Sequence, residues 1–168
     1  MEKRSRKSNS KEVVHNKQRD FDQKLVEVKR VTRVVAGGKR MRFRALVVIG
    51  DHKGRVGVGL RKGADVSESI NKAVNAAKKN MITVPLVNDS IPHAVKIKYK
   101  SSQILMMPAR PGTGVIAGGA LRSVMDMAGV KNVISKMIGS NNKVNNVRAA
   151  LEAFKMLKSK EQILQARK

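Results

Sequence analysis

Cysteine and tryptophan are absent from this 168-residue chain, and one tyrosine and three phenylalanines are its only aromatic residues. Without thiols there is no disulfide framework, no thiolate nucleophile and no zinc site built on sulfur. Phe21, Phe43, Tyr99 and Phe154 are scattered, so no pair of exposed rings is expected as a stacking platform for single-stranded bases. Acid is scarce as well: 12 Asp+Glu stand against 36 Lys+Arg, for a net charge of +24. Self-repulsion on that scale destabilises a compact state unless a polyanion neutralises it, which makes nucleic acid or an anionic surface the expected partner. Long apolar runs are missing too. Ala45–Ile49 and Ile104–Met107 fall far short of the ~20 apolar residues that a spanning helix needs, so no membrane span is expected. The basic start is followed by no apolar segment that would mark a secretory signal, and Glu2, Glu12 and Asp20 argue against a mitochondrial presequence.

What is present points to folded cores, because 41% of the residues are hydrophobic, too many for a disordered basic tail. Residues 1–20 read as a basic flexible tail. Val-rich Lys24–Val35, interrupted by Lys29, Arg30 and Arg33, suits a strand, and Gly37-Gly38 breaks it. The next run places Met41, Phe43, Ala45, Val47 and Ile49 on one face and Arg40, Arg42 and Arg44 on the other. After a turn at Gly50–Gly54, a third strand alternates Val56, Val58 and Leu60 with Arg55, Gly57, Gly59 and Arg61, leaving an outer face that is nearly bare backbone. Asp65 and Glu68 resemble a capping box that opens a helix running to Asn80.

Two prolines within Pro85–Pro92 mark a domain boundary. Strands over Ala94–Tyr99, Ile104–Met107 and Asn132–Ile138 then alternate with helices that start after the Gly-rich Pro111–Gly119 run and at Asn142. The expected organisation is a tail (1–20), a first domain (21–84), a second domain (85–158) and a basic C-terminal tail (159–168).

Enzyme signatures fail on their particulars. Gly57-x-Gly59 lacks the spacing of a dinucleotide fingerprint, and the Gly114–Gly119 spacing of a P-loop is followed by Ala120-Leu121 instead of Lys and Ser/Thr. The three histidines lie in the tail, a turn and a Pro-flanked loop without ligand spacing, the acids form no pair, and the methionines fall inside apolar patterns. No catalytic residue, metal ligand, cofactor or small-molecule substrate is expected. The basic residues carry the signal instead: Arg30, Arg33, Lys39, Arg40, Arg42, Arg44, Arg55, Arg61, Lys62, Lys78 and Lys79 have no matching acids nearby in sequence. They read as a footprint for RNA phosphates, with recognition through phosphates, 2′-hydroxyls and shape. The Gly112–Gly119 run either aims backbone amides at a phosphate or permits close packing with a protein.

Val34-Val35-Ala36-Gly37-Gly38-Lys39-Arg40-Met41-Arg42-Phe43, Val48-Ile49-Gly50-Asp51, Gly54-Arg55-Val56-Gly57-Val58-Gly59 and Ala77-Lys78-Lys79-Asn80 resemble the family of the fifth protein of the bacterial small ribosomal subunit. Ile91-Pro92-His93, Gly112-Thr113-Gly114-Val115-Ile116-Ala117-Gly118-Gly119, Arg122, Ala128-Gly129-Val130 and Val147-Arg148-Ala149 continue that resemblance in the same order. It implies an α+β chain with two parts: a double-stranded-RNA-binding-like domain, a three-stranded antiparallel sheet plus a helix, then a small α/β sandwich of the family's second-domain type.

It further implies a structural role in binding 16S rRNA and supporting subunit assembly. The implied partners are the fourth and eighth small-subunit proteins and mRNA near the path by which it enters, in a cytoplasmic ribosome or, less in keeping, an organellar one. Gly112, Thr113, Gly114 and Arg122 match an interface with the fourth protein that affects translational accuracy. Thr32, Arg33, Val34, Val35, Ala36, Gly37 and Gly38 match a spectinomycin-resistance loop. Leu60-Arg61-Lys62-Gly63-Ala64 departs from the family's usual Gly-Lys-Ala by placing Arg61 where glycine is common, and Arg110-Pro111 departs just before the Gly-Thr-Gly segment. A free double-stranded-RNA chaperone or regulator is the alternative reading.

Overall fold

The computed structural model describes residues 21–165. The N-terminal segment read as a tail, and the last three residues of the C-terminal one, lie outside the described residues. Two four-stranded sheets organise the chain. In the first, β1 (Asp22–Val35), β2 (Gly38–Gly50), β3 (Arg55–Gly63) and β4 (Met81–Thr83) lie side by side in sequence order, all antiparallel. The short β4 adds a fourth strand to the three expected, and it covers only Arg55–Gly57 of β3. Three residues carry too little periodicity to be read from sequence.

Helix α1 (Val66–Lys79) lies on one face of this sheet. Asp65 caps it by accepting from the Ser67 N–H, and the Glu68 carboxylate reaches back to accept from the Ala64 N–H, one residue before the amide that a strict capping box would use. The glycine face of β3 is where the sequence reading needs correction. It is not an outer face: Gly57 and Gly59 sit directly under α1, and a Cβ on Gly59 would lie 1.9 Å from the Ala73 carbonyl oxygen. Glycine there lets helix backbone touch strand backbone.

In the second sheet, β5 (Val95–Tyr99), β6 (Ser102–Pro108), β8 (Val133–Gly139) and β7 (Val115–Ile116) stand in that order, with only β7–β8 parallel. Helices α2 (Gly119–Ala128) and α3 (Lys143–Met156) pack between the two sheets. The layers therefore run α1, first sheet, α2 with α3, second sheet. A six-residue helix, α4 (Lys160–Gln165), occupies part of what was read as a C-terminal tail. Its residues are mostly polar, which masked it.

One core runs through the junction. Leu46, Val48 and Val56 of the first sheet join Leu121, Val124 and Met125 of α2 and Val147 and Phe154 of α3 in a single buried cluster. Strand β2 is thus buried on both faces from Ala45 to Gly50, with Ala45, Val47 and Ile49 toward α1 and Leu46 and Val48 toward α2. The His52 N–H donates to the Met127 carbonyl at 3.2 Å, the Gly54 N–H donates to that of Ala128 at 2.9 Å, and Lys24 pairs with Asp126 at 2.9 Å. Gly129 ends α2 in a left-handed conformation, φ +81°, and lies against the His52 backbone, so its missing side chain serves both the turn and the contact.

Candidate nucleic-acid interface

The β1–β2 hairpin is the longest feature of the first sheet. Strand β3 pairs with β2 only up to Phe43, so the part of the hairpin beyond it is a two-stranded ribbon that projects from the body. Val35 pairs with Gly38 across a turn at Ala36-Gly37, and the segment Thr32–Gly38 is therefore strand ends plus a tight tip. Val34, at 73% exposure, and Met41, at 57%, show that α1 does not reach this ribbon.

Cross-strand pairs place residues on a common face. Arg33 stands opposite Arg40, and Lys29, Arg44 and Lys62 form a row across three strands; Arg42 shares their face. Arg33, Arg40, Arg42 and Lys62, with Val31, Thr32 and Val35, line a hollow of about 470 Å³. Lys29 reaches Glu27 at 3.5 Å, but Arg33, Arg40, Arg42, Arg44 and Lys62 form no ion pair among the described residues. Like charges set directly opposite each other on a sheet destabilise it by roughly 0.2–1 kcal/mol per pair. An anion laid across the ribbon reverses that sign.

The remaining basic residues are distributed differently. Arg30 and Lys39 point to the other face of the ribbon, as do Thr32 and Val34. Arg61 pairs with Ala45 and so lies on the α1 face, where with Lys72 and Lys79 it borders a hollow of about 250 Å³. Lys78 and Lys79 are exposed in the last turn of α1, where a positive charge suits the helix dipole. Arg55 requires a correction, because an acid does match it.

Its Nε donates to Asp51 at 2.7 Å, and its guanidinium lies 5.1 Å from the centre of the Phe21 ring. Partial burial pushes the Asp51 carboxyl up, but hydrogen bonds from the Arg55 side chain and from the Lys53 and Arg55 amides outweigh it and hold the carboxyl at about 2. Arg55 is bound at the end of the sheet far from the hairpin tip. Loop residue Asp51 was missed as its partner because Arg55 was grouped with Arg61 by strand alternation.

Two amides of the glycine-rich segment have partners within the chain. Both the Gly112 and the Gly114 N–H donate to the side-chain oxygen of Asn132, at 3.0 and 3.2 Å, so these amides are already used within the chain. Asn132 is itself buried, and its carbonyl accepts from the Ser90 hydroxyl at 2.6 Å. Thr113 is exposed between the two held glycines, and Arg122 is exposed on the first turn of α2. Sequence reasoning missed Asn132 and Ser90 because a single Asn at a strand start carries no periodic signal.

Comparison with known proteins bears on this geometry. A family model described as "Ribosomal protein S5, N-terminal domain" matches residues 21–85, and one described as "Ribosomal protein S5, C-terminal domain" matches residues 97–167. The "Small ribosomal subunit protein uS5c" of Rhodomonas salina is 46% identical over 163 residues, covering 96% of this chain and 95% of that protein. The chain belongs to the ribosomal protein S5 family. The family is structural and not enzymatic, and its two domains correspond to the two sheets described above. No described helix is long and apolar enough to cross a membrane.

Proposed function

We propose that the chain is a structural constituent of the small ribosomal subunit that binds 16S rRNA through the basic ribbon of its first sheet. The observation that carries this reading is the set Arg33, Arg40 and Arg42 on one face of a projecting hairpin, continued at its base by Arg44 and by Lys62 of β3, with no acid partner among the described residues. Arginine donates in a planar fork that suits phosphate oxygens, and a narrow ribbon can lie along an RNA groove. In this reading residues 21–84 carry the RNA face. Residues 85–158 meet protein neighbours, with Gly112–Gly114 and Arg122 toward the fourth small-subunit protein and a further contact to the eighth.

The tip at Thr32–Gly38 shapes the spectinomycin pocket through RNA, and the chain supports assembly, accuracy and the path by which mRNA enters. The compartment is cytoplasmic in this proposal. Chemical footprinting of 16S rRNA in small subunits reconstituted with and without the chain tests it. Protection confined to a few neighbouring rRNA segments is the expected result. Equal protection of any duplex would instead make the chain a free double-stranded-RNA binder.

A further inference from the structure

We infer that the cleft between β3 and α3 receives a single unpaired nucleotide of the RNA, with Arg61 and Arg148 on its phosphate; this rests on the RNA-binding reading above. Because β4 stops at Gly57, the outer edge of β3 is unpaired beyond that point. The Gly54 carbonyl accepts from the Val84 N–H on the β4 side. By the two-residue repeat of a strand, Leu60 turns its N–H and C=O groups to that same side, past the last pair with β4 at Gly57 and Met81. Those groups line a cleft of about 350 Å³ together with Arg61, Asn80, Tyr99 and Arg148, a size in the range of small-ligand sites.

The chemistry of the walls selects the occupant. Arg61 and Arg148 are exposed and in no ion pair among the described residues, while Glu152 at the same cleft is engaged by Lys155 at 2.8 Å. The Leu60 backbone donor and acceptor beside Asn80 match the polar edge of a base, and the half-buried Tyr99 ring, with the Lys100 ammonium 5.9 Å from its centre, gives an aromatic surface at the cleft for the base to lie against. An extended acidic peptide could also use a free strand edge. Continuity of charge favours RNA: three hollows meet at Arg61, one reaching Arg44 and Lys62, one Lys72 and Lys79, and the third Arg148. A strand of phosphates can thus pass from the basic ribbon over Leu60 and Arg61 into the cleft.

The test uses the full chain, a short RNA duplex and the same duplex with one bulged nucleotide, with affinities read by fluorescence anisotropy at one salt concentration. Preference for the bulged RNA of about tenfold is expected, in line with one stacked base. The exposed double substitution Arg61→Gln with Arg148→Gln should bring that ratio close to one while the unbulged duplex loses much less. Tyr99→Phe should retain the preference and Tyr99→Leu should lose it, with circular dichroism checking the fold of each. Equal binding of the two RNAs by the unsubstituted chain, or an unchanged ratio in the double variant, overturns the inference but leaves ribbon binding intact. Failure to bind either RNA overturns both. Displacement of the bulged RNA's extra affinity by a Glu-rich peptide, but not by free adenosine monophosphate, would overturn it in favour of strand addition.

Discussion

The two ends of the first sheet are built from the same strands and obey opposite rules. At the basal end each of the cations Lys24 and Arg55 has an acid, in Asp126 and Asp51, and the strands between them are buried against α1 and α2. At the distal end Arg33 faces Arg40 and Arg44 stands between Lys29 and Lys62, with apolar Val34 and Met41 left exposed. One strand pair therefore serves two purposes: its lower half is a core, and its upper half is a surface whose facing like charges an anion would relieve. Stability and binding are separated along the length of β1 and β2, and substitutions should sort by which half they touch.

The largest effect should come from the basal half. Gly59→Ala forces a Cβ to within 1.9 Å of the Ala73 carbonyl oxygen, so α1 must lift from the sheet at a cost of about 2–4 kcal/mol. Urea denaturation checks this, with Gly37→Ala as the contrast, since nothing lies within 4 Å of a Cβ there. Next in size is Asn132→Ala, which leaves the Gly112 and Gly114 amides without their acceptor and should cost about 1–3 kcal/mol. Hydrogen exchange at those two amides should accelerate by more than at neighbouring residues, and an unchanged rate would show that the loop is held by something else.

Asp51 sharpens the comparison through pH. Its folded pKa, about 2, lies below the ordinary 3.8, so its contribution is complete above the ordinary value and disappears as pH falls toward about 2. Asp51→Asn should lower stability at neutral pH by about 1–2 kcal/mol. The gap between variant and parent should then close on acidification through that window; a gap constant with pH would contradict the ion-pair account. The smallest effect, and the one of opposite sign, belongs to the distal half. Arg40→Gln relieves the repulsion from Arg33 and should stabilise the free chain by about 0.2–1 kcal/mol while weakening its hold on RNA.

Much of this was legible in the sequence, and particular residues show why the rest was not. The alternation of Arg40, Arg42 and Arg44 against Met41 and Phe43 placed the basic face on a strand, and Asp65 with Glu68 placed the start of α1, because both are local patterns. Whether Gly57 and Gly59 faced solvent or α1 depended on the handedness of the strand-to-helix connection, which no local period encodes. Leu46 and Val48 continue the strand face that begins with Arg40, Arg42 and Arg44, and it is the docking of α2 that buries them. The family resemblance carried the overall architecture, whereas the pairing of Arg55 with Asp51, the anchoring of Gly112 and Gly114 on Asn132, and the meeting of three hollows at Arg61 are tertiary facts.

The most direct test of the division between the two halves is the salt dependence of RNA binding for the parent chain and for a variant with Arg40, Arg42 and Arg44 each changed to Gln. Each lost phosphate contact should flatten the slope of log affinity against log salt by roughly 0.7–0.9, so the account predicts a drop of about two units with the fold retained. An unchanged slope would contradict it, because the distal cations would then not be the ones that meet the phosphates.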